Sequence, residues 1–274
     1  MSSLSRPASL QISANFFRKL FHQRQFLRTL IVRDLKSRYV GSLIGFFWSV
    51  IHPLVLLISY TFVFQIILKV RPLTPATDNF AVFVFCAILP WLYFQETVTR
   101  SCGCVVDQSV LIKKTLFPSE ILPVSLAFSN LVAHVIGLAI LMVLLLWYGL
   151  LTWTVVFVPV YLVALMLLAL GLGWLVAALQ VFLRDTIQVL SVVMVFWFWF
   201  TPIFYSVEQV PAVLQPLIRL NPLTAIVEGY RSLLLEGRLP EVSQLLFVFL
   251  PAIVLFILGG WVFRNTKREF IDVL

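Results

Sequence analysis

Residues 154–182 read TVVFVPVYLVALMLLALGLGWLVAALQVF, without one acidic or basic side chain, and Leu183-Arg184-Asp185 closes the run. At about 1.5 Å of rise per residue, a helix of this stretch is long enough to cross a hydrocarbon core of roughly 30 Å. A second apolar run, Thr186 to Tyr205, follows at once and carries Phe196-Trp197-Phe198-Trp199-Phe200. Arg184 and Asp185 would be costly at the centre of a bilayer, so the two runs are expected to be separate spans joined by a tight polar turn.

Outward from this pair lie four more such stretches: Leu43 to Leu68, Phe80 to Val98 with Pro90 inside it, Ile121 to Trp147, and Val242 to Phe263. All are far longer than the roughly 10-residue alternating segments of a membrane barrel, so helices are the better reading. Of the 274 residues 61% are hydrophobic and 12% charged, against about 25% charged in a soluble domain. A soluble fold could not cover that much apolar surface. The expected fold class is an all-α integral membrane protein with six transmembrane helices, at about 43–68, 80–98, 121–147, 154–182, 186–205 and 242–263. Residues 1–42 precede this transmembrane domain (43–263), and 264–274 form a tail.

Of the 20 lysines and arginines, 15 fall in residues 1–42, 99–120, 183–185 and 264–274, all on one side of such a bundle. The positive-inside bias then puts both termini in the cytoplasm of a multi-pass inner-membrane protein, with the first helix as an uncleaved insertion signal. It also explains the formal charge of +8, because the basic residues meet anionic headgroups. No soluble domain carries a basic stripe suited to nucleic acid.

Three segments between the spans carry further information. In the N-terminal stretch, Phe16, Phe17, Leu20, Phe21, Leu27, Ile31 and Leu35 recur at helical spacing, with Arg18, Lys19, Arg24, Arg28, Arg33 and Lys36 mostly between them. This is a basic amphipathic interface helix, serving either as an anchor or as a cytosolic cuff that touches a partner subunit. In the loop 99–120, Val105, Val106, Val110, Leu111 and Ile112 can form one apolar face of a short helix. Lys113 and Lys114 favour its C-terminal end, and Pro118 stops it. Such a face either fits a partner groove or packs back on the bundle.

The third segment, the outer loop 206–241, is too apolar for a solvated loop. Asn221-Pro222 reads as a helix start, followed by an apolar stripe at Leu223, Ile226, Val227, Tyr230 and Leu234, with Glu228 and Arg231 placed to pair. Two short re-entrant helices are expected, a conformation tolerated where protein buries the backbone or water reaches it.

Several chemistries are missing. The sequence has no phosphate-cradling G-x-x-x-x-G-K-[ST], no H-E-x-x-H and no G-x-S-x-G, and Cys86, Cys102 and Cys104 form no metal or disulfide framework. No catalytic residue, metal site or cofactor is expected in this chain. His134, near the middle of the third span, reads as a helix-to-helix hydrogen bonder. Glu96 is placed to pair with Arg100 four residues on. Aromatic residues make up 15% and cluster at helix ends. Interface belts account for most of them, while aromatic faces also suit a path for sugar rings.

At this point an ordered set of motifs becomes visible: Arg33-Asp34-Leu35-Lys36-Ser37-Arg38-Tyr39, Ser42-Leu43-Ile44-Gly45-Phe46-Phe47-Trp48 with Pro53, and Leu89-Pro90-Trp91-Leu92-Tyr93-Phe94. Lys114-Thr115-Leu116-Phe117-Pro118, Phe182-Leu183-Arg184-Asp185, Phe198-Trp199-Phe200-Thr201-Pro202-Ile203 and Asn221-Pro222 follow. Together they resemble the permease subunits of type-2 ABC exporters that export polysaccharides, above all the O-antigen permeases, with capsule and teichoic-acid exporters as relatives.

The resemblance implies a homodimer with two copies of a separate cytosolic ATPase subunit that binds ATP and Mg. It also implies a channel for a polysaccharide on undecaprenyl diphosphate. It assigns ATPase coupling to Val105, Val106, Ser109, Val110, Lys113, Lys114 and Phe117. Candidate channel aromatics are Phe47, Trp48, Trp91, Tyr93, Phe94, Trp197 and Phe200. A periplasmic gate would involve Pro202, Tyr205, Asn221, Pro222, Glu228, Tyr230 and Arg231. Arg33, Lys36 and Arg38 are the candidates for the lipid diphosphate. The competing readings are a drug or small-lipid exporter of the same class, a membrane-embedded lipid-linked glycosyltransferase, for which Asp78, Asp107 and Asp185 form no D-x-D, and an ion-coupled carrier, for which no repeat is visible.

Overall fold

A computed structural model describes residues 23–39, 47–69, 77, 79–114 and 118–274. Residues 1–22, the motif Ser42 to Phe46, and Phe117 lie outside them. Among the described residues every regular element is helical. In chain order they are α1 (Arg24–Tyr39), α2 (Trp48–Tyr60, continued by a π-helical turn Thr61–Ile67), α3 (Phe80–Asp107), α4 (Ser109–Lys114), α5 (Ile121–Trp147) and α6 (Val158–Phe182, preceded by a 3-10 turn Trp153–Phe157). Then come α7 (Thr186–Phe200), α8 (Gln215–Arg219), α9 (Pro222–Arg231, continued by a π-helical turn Ser232–Glu236), α10 (Val242–Thr266) and α11 (Phe270–Val273).

Among the described residues, five helices are long and apolar enough to cross a membrane: Val50–Ile67, Phe80–Asp107, Ile121–Trp147, Trp153–Phe182 and Val242–Thr266. The sixth expected span is shorter than the sequence suggested. Thr186–Phe200 has 15 residues, about 22 Å at 1.5 Å per residue. Thr201 turns extended ahead of Pro202, as residues before proline do, so the helix stops five residues short of Tyr205.

α3 is the central helix. In its apolar window 78% of residues are buried, against 11% for Val50–Ile67 and 17% for α10, so α3 lies inside the bundle while the other two turn their surfaces outward. Asn79 caps its start, its Oδ1 accepting from the Ala81 and Val82 amides at 3.0 and 3.4 Å. α5, α6, α7 and α9 all pack on it. α6 also packs along α10, where two glycines let the backbones meet: a Cβ on Gly259 would lie 2.0 Å from the Gly171 carbonyl oxygen.

A second cluster gathers Leu30 of α1, Val105 of α3, Ile112 of α4, Trp174 of α6 and Phe263 and Phe270 near the C-terminus. Lys267 Nζ lies 2.6 Å from Glu120 Oε1, tying the tail to the start of α5. α1, the 108–120 connection, the α6–α7 turn and the tail therefore share one end of the bundle. Residues 148–153 and 206–241 share the other, where Thr152 and Thr154 both donate to the Leu233 carbonyl.

Candidate functional site

At the basic end, α1 is fastened to α3 and α5 by a compact polar network. Asp34 accepts from Arg38 Nε at 3.1 Å, from Arg100 through both terminal nitrogens, and from the Ser129 hydroxyl. Arg38 donates its other nitrogens to Glu96 Oε1 at 2.9 Å and to Asn130 Oδ1. Asn130 in turn donates to Thr97 Oγ1 at 3.0 Å. A carboxylate held by four donors, three of them guanidinium nitrogens, is the strongest kind of polar anchor.

The expected Glu96–Arg100 pair does not form. Arg38 and Asp34, more than 50 residues upstream, take the two partners instead.

Beside this network opens a cavity of about 590 Å³ between α1, α2, α3 and α5. Its wall includes Arg38, Trp48, His52, Tyr93, Gln95, Glu96, Arg100, Asn130 and His134, over a floor of Leu89, Leu92 and Ala133. A groove of about 390 Å³ lies nearby, with Arg33, Ser37, Asp107 and Gln108 on its rim.

At the opposite end, Asn221 caps α9 as the Asn-Pro pair predicts, with Oδ1 accepting from Leu223 N at 3.1 Å. The same oxygen takes the Trp197 indole N–H at 3.0 Å, and Nδ2 donates to Thr201 at 3.1 Å. Arg231 is buried and, among the described residues, has no acidic hydrogen-bond partner. It donates to the carbonyls of Pro202 and Ile203 at 2.8 and 2.7 Å and to that of Tyr205 at 3.4 Å. Its guanidinium stands 3.6 Å over the Phe83 ring, a cation–π contact. It therefore clasps residues 202–205 onto α9 and does not form the expected pair with Glu228. His134 links the helices: its Nδ1 lies 3.2 Å from the Leu89 carbonyl of α3, and its Nε2 3.0 Å from the Tyr230 hydroxyl of α9.

The family described as ABC-2 type transporter matches residues 25–235. The O-antigen export system permease protein RfbA of Myxococcus xanthus is 30% identical over 258 residues, 93% of this chain and 97% of that protein. The chain belongs to the ABC-2 type transporter family. The RfbA of Klebsiella pneumoniae is 27% identical over 88% of this chain and 92% of its own. The polysialic acid transport protein KpsM of Escherichia coli is 19% identical over 91% and 96%. As an ABC-2 permease, the chain is a membrane component of a transporter and not a catalytic subunit. Among the described residues no three His, Cys, Asp or Glu side chains are placed to hold a metal ion.

The permease fold distributes the sequence-derived candidates unevenly. Arg33 and Lys36 are exposed on α1, whereas Arg38 turns inward and is held by two carboxylates. Val106, Val110 and Lys113 are exposed and Ser109 is half-buried, but Val105 is buried with Ile112. The apolar face expected of this segment is thus split. One half packs back on the bundle, and the other faces outward.

Among the aromatics, Phe47 and Trp48 are exposed, Trp197 and Phe200 are half-buried, and Tyr93 borders the cavity. Trp91 and Phe94 are packed inside the chain, with rings 5.4 Å from Phe198 and 5.1 Å from Trp197. They serve helix packing and face no open space. Pro202, Asn221, Tyr230 and Arg231 are buried, with Tyr205, Pro222 and Glu228 half-buried. The candidate gate is therefore a packed unit. The Asp34–Ser129–Asn130 part of the network went unread in the sequence. Its one signal there was a pair of uncharged polar residues, Ser129-Asn130, inside an apolar helix.

Proposed function

We propose that this permease exports a lipid-linked polysaccharide across the inner membrane, most specifically O-antigen on undecaprenyl diphosphate. In this reading two copies form the channel, and two cytosolic ATPase subunits, which bind ATP and Mg, drive it. The observation that carries the proposal is the end-to-end match with an O-antigen export permease at 30% identity. In the sequence, 15 of the 20 basic residues fall in the segments expected on one side of the spans, which supports a cytoplasmic position for both termini.

In that frame α7 makes the remaining crossing as a short helix that ends in the outer leaflet. Residues 201–236 then lie re-entrant behind it as a periplasmic gate, with Asn221, Thr201 and the terminal nitrogens of Arg231 bonded to protein. The exposed Val106, Val110 and Lys113 offer the ATPase a mixed apolar and basic surface. Arg33 and Lys36 stand at the headgroup level, where a diphosphate would first be met.

Deletion of the permease in its host tests this reading. Undecaprenyl-linked polymer should accumulate inside and vanish from the surface, restored only when the chain and an active ATPase are both supplied. Surface polymer that persists, or ATP hydrolysis by the purified chain alone, would overturn it. The likeness to KpsM favours a capsule-type polymer as a second reading, and the identity of the accumulated polymer separates the two.

A further inference from the structure

We propose that the open cavity between α1, α2, α3 and α5 binds a neutral sugar ring and does not take a phosphate group. The ligand class follows from the cavity wall. Its place at the start of a transport path rests on the export reading above.

Charge balance is the first ground. Arg38 and Arg100 are the cations of the wall, and both are already committed. Arg38 donates to Asp34, Glu96 and Asn130, and Arg100 to Asp34 and Asn130. Two guanidiniums face two carboxylates, so the cluster is neutral overall. A phosphate would meet no net positive charge here, and it would sit against the half-exposed Glu96 carboxylate, whose like charge repels it.

Hydrogen-bonding capacity is the second ground. The ion pair uses Glu96 Oε1, and a carboxylate has acceptor sites beyond a single donor. Gln95 Oε1 takes the Trp91 indole N–H at 2.8 Å, so the amide meets other groups as an N–H donor. The His52 ring is exposed on the same wall. An acidic acceptor, an amide donor and an imidazole together match the mixed donor and acceptor pattern of vicinal hydroxyls. An acyl chain would desolvate the same groups without giving any of them a hydrogen bond.

Shape is the third ground. Trp48 lines the cavity and is 49% exposed, so it offers aromatic surface of the kind on which the C–H face of a pyranose rests. A volume of about 590 Å³ falls within the usual range of small-ligand sites, roughly 300–1,000 Å³.

The test uses the full-length permease in lipid nanodiscs, labelled with 5-fluorotryptophan. The Trp48 fluorine signal is assigned by its loss in Trp48→Phe. The probes are the methyl pyranosides of glucose, mannose, galactose, rhamnose and N-acetylglucosamine, each titrated alone, and inorganic pyrophosphate. At least one pyranoside should shift the Trp48 signal saturably, and pyrophosphate should not. Glu96→Gln should weaken that pyranoside about tenfold, the difference between a charged and a neutral acceptor. Ala133→Leu, which narrows the floor and leaves the polar network untouched, should abolish the shift. Overturning results are a shift with pyrophosphate alone, silence from every pyranoside, or pyranoside binding indifferent to both substitutions. The measurement needs neither ATP nor export. A chain that binds pyranosides yet moves no polymer rejects the export reading alone, and one that exports while Trp48 stays unshifted rejects this site alone.

Discussion

His134 joins three helices through its two ring nitrogens, 3.2 Å from the Leu89 carbonyl and 3.0 Å from the Tyr230 hydroxyl. A carbonyl only accepts, so in the neutral ring Nδ1 carries the proton and Nε2 accepts from the tyrosine. The same imidazole forms part of the cavity wall, so the cavity and the re-entrant helix α9 meet at one side chain. A double-mutant cycle with His134→Ala and Tyr230→Phe should give a coupling of about 0.6–1.7 kcal/mol, the range of interhelical hydrogen bonds in membranes. The measurement is unfolding in mixed micelles. Strictly additive losses would show that the two side chains do not act together.

Arg231→Lys is expected to loosen the 202–205 segment. Lysine keeps the charge but replaces a planar fork with a point donor, and it cannot reach three carbonyls and lie flat over Phe83 as Arg231 does. The loss should be about 2 kcal/mol, comparable to leaving one buried acceptor unsatisfied. Hydrogen exchange across residues 201–206 should quicken in parallel. Unchanged exchange would remove the clasp from the account.

Glu228 lies in α9, outside the five long helices. Burial raises its carboxyl pKa above the ordinary value, with Glu208 and Glu236 adding to the rise and Arg219 and Arg231 opposing it. The folded chain therefore holds this proton to higher pH than the unfolded chain does. Stability contributed by the protonated form is complete below the unfolded value and falls as pH rises through the raised one. Glu228→Gln should remove that slope, and its melting temperature should exceed that of the parent at neutral pH. A parent and variant whose melting temperatures run parallel from pH 4 to pH 8 would contradict this.

The α6–α10 seam should separate two neighbouring glycines sharply. A Cβ on Gly259 would lie 2.0 Å from the Gly171 carbonyl oxygen, whereas one on Gly260 would meet Trp174 at 3.6 Å, an ordinary contact. Gly259→Val should abolish monodisperse protein in size-exclusion chromatography, and Gly260→Ala should leave it intact. Equal behaviour of the two variants would mean that the helices can part without penalty.

Orientation is open to direct labelling. A cysteine at Gln215, the first residue of α8, should react with an impermeant maleimide added outside spheroplasts. Cys86, Cys102 and Cys104 are buried, so background should be low. Labelling only after lysis would reverse the topology.

Much of this architecture is legible in residue order. The long helices follow from uninterrupted apolar runs, and α9 begins where Asn221-Pro222 predicts. His134 bonds between helices as its isolation in an apolar span suggests. Reading failed where partners come from distant segments. Glu96 and Arg100 sit at ideal helical spacing, yet Arg38 and Asp34 outcompete that local pairing because α1 docks beside them. Glu228 and Arg231 look equally matched on paper, but three carbonyls freed where the chain turns at Pro202 lie nearer the guanidinium. The aromatic motif 91–94 looked like a lining. Helical rotation sends Trp91 and Phe94 inward and leaves Leu92 and Tyr93 at the cavity. Local periodicity cannot tell which side of a uniformly apolar helix meets lipid, protein or open space.

The glycine seam also bears on how such a molecule can change shape. Where main chains touch, no rotamers remain to slide over one another, so α6 and α10 cannot shear without first separating. They form a stationary post, which Lys267, just past the end of α10, ties to the start of α5 through Glu120. Motion through a working cycle is left to the parts that do not share this contact: the short α7, the clasped outer segment, and α2 and α3, interrupted by Pro53 and Pro90. A permease built this way would open by moving its other helices past a fixed pillar.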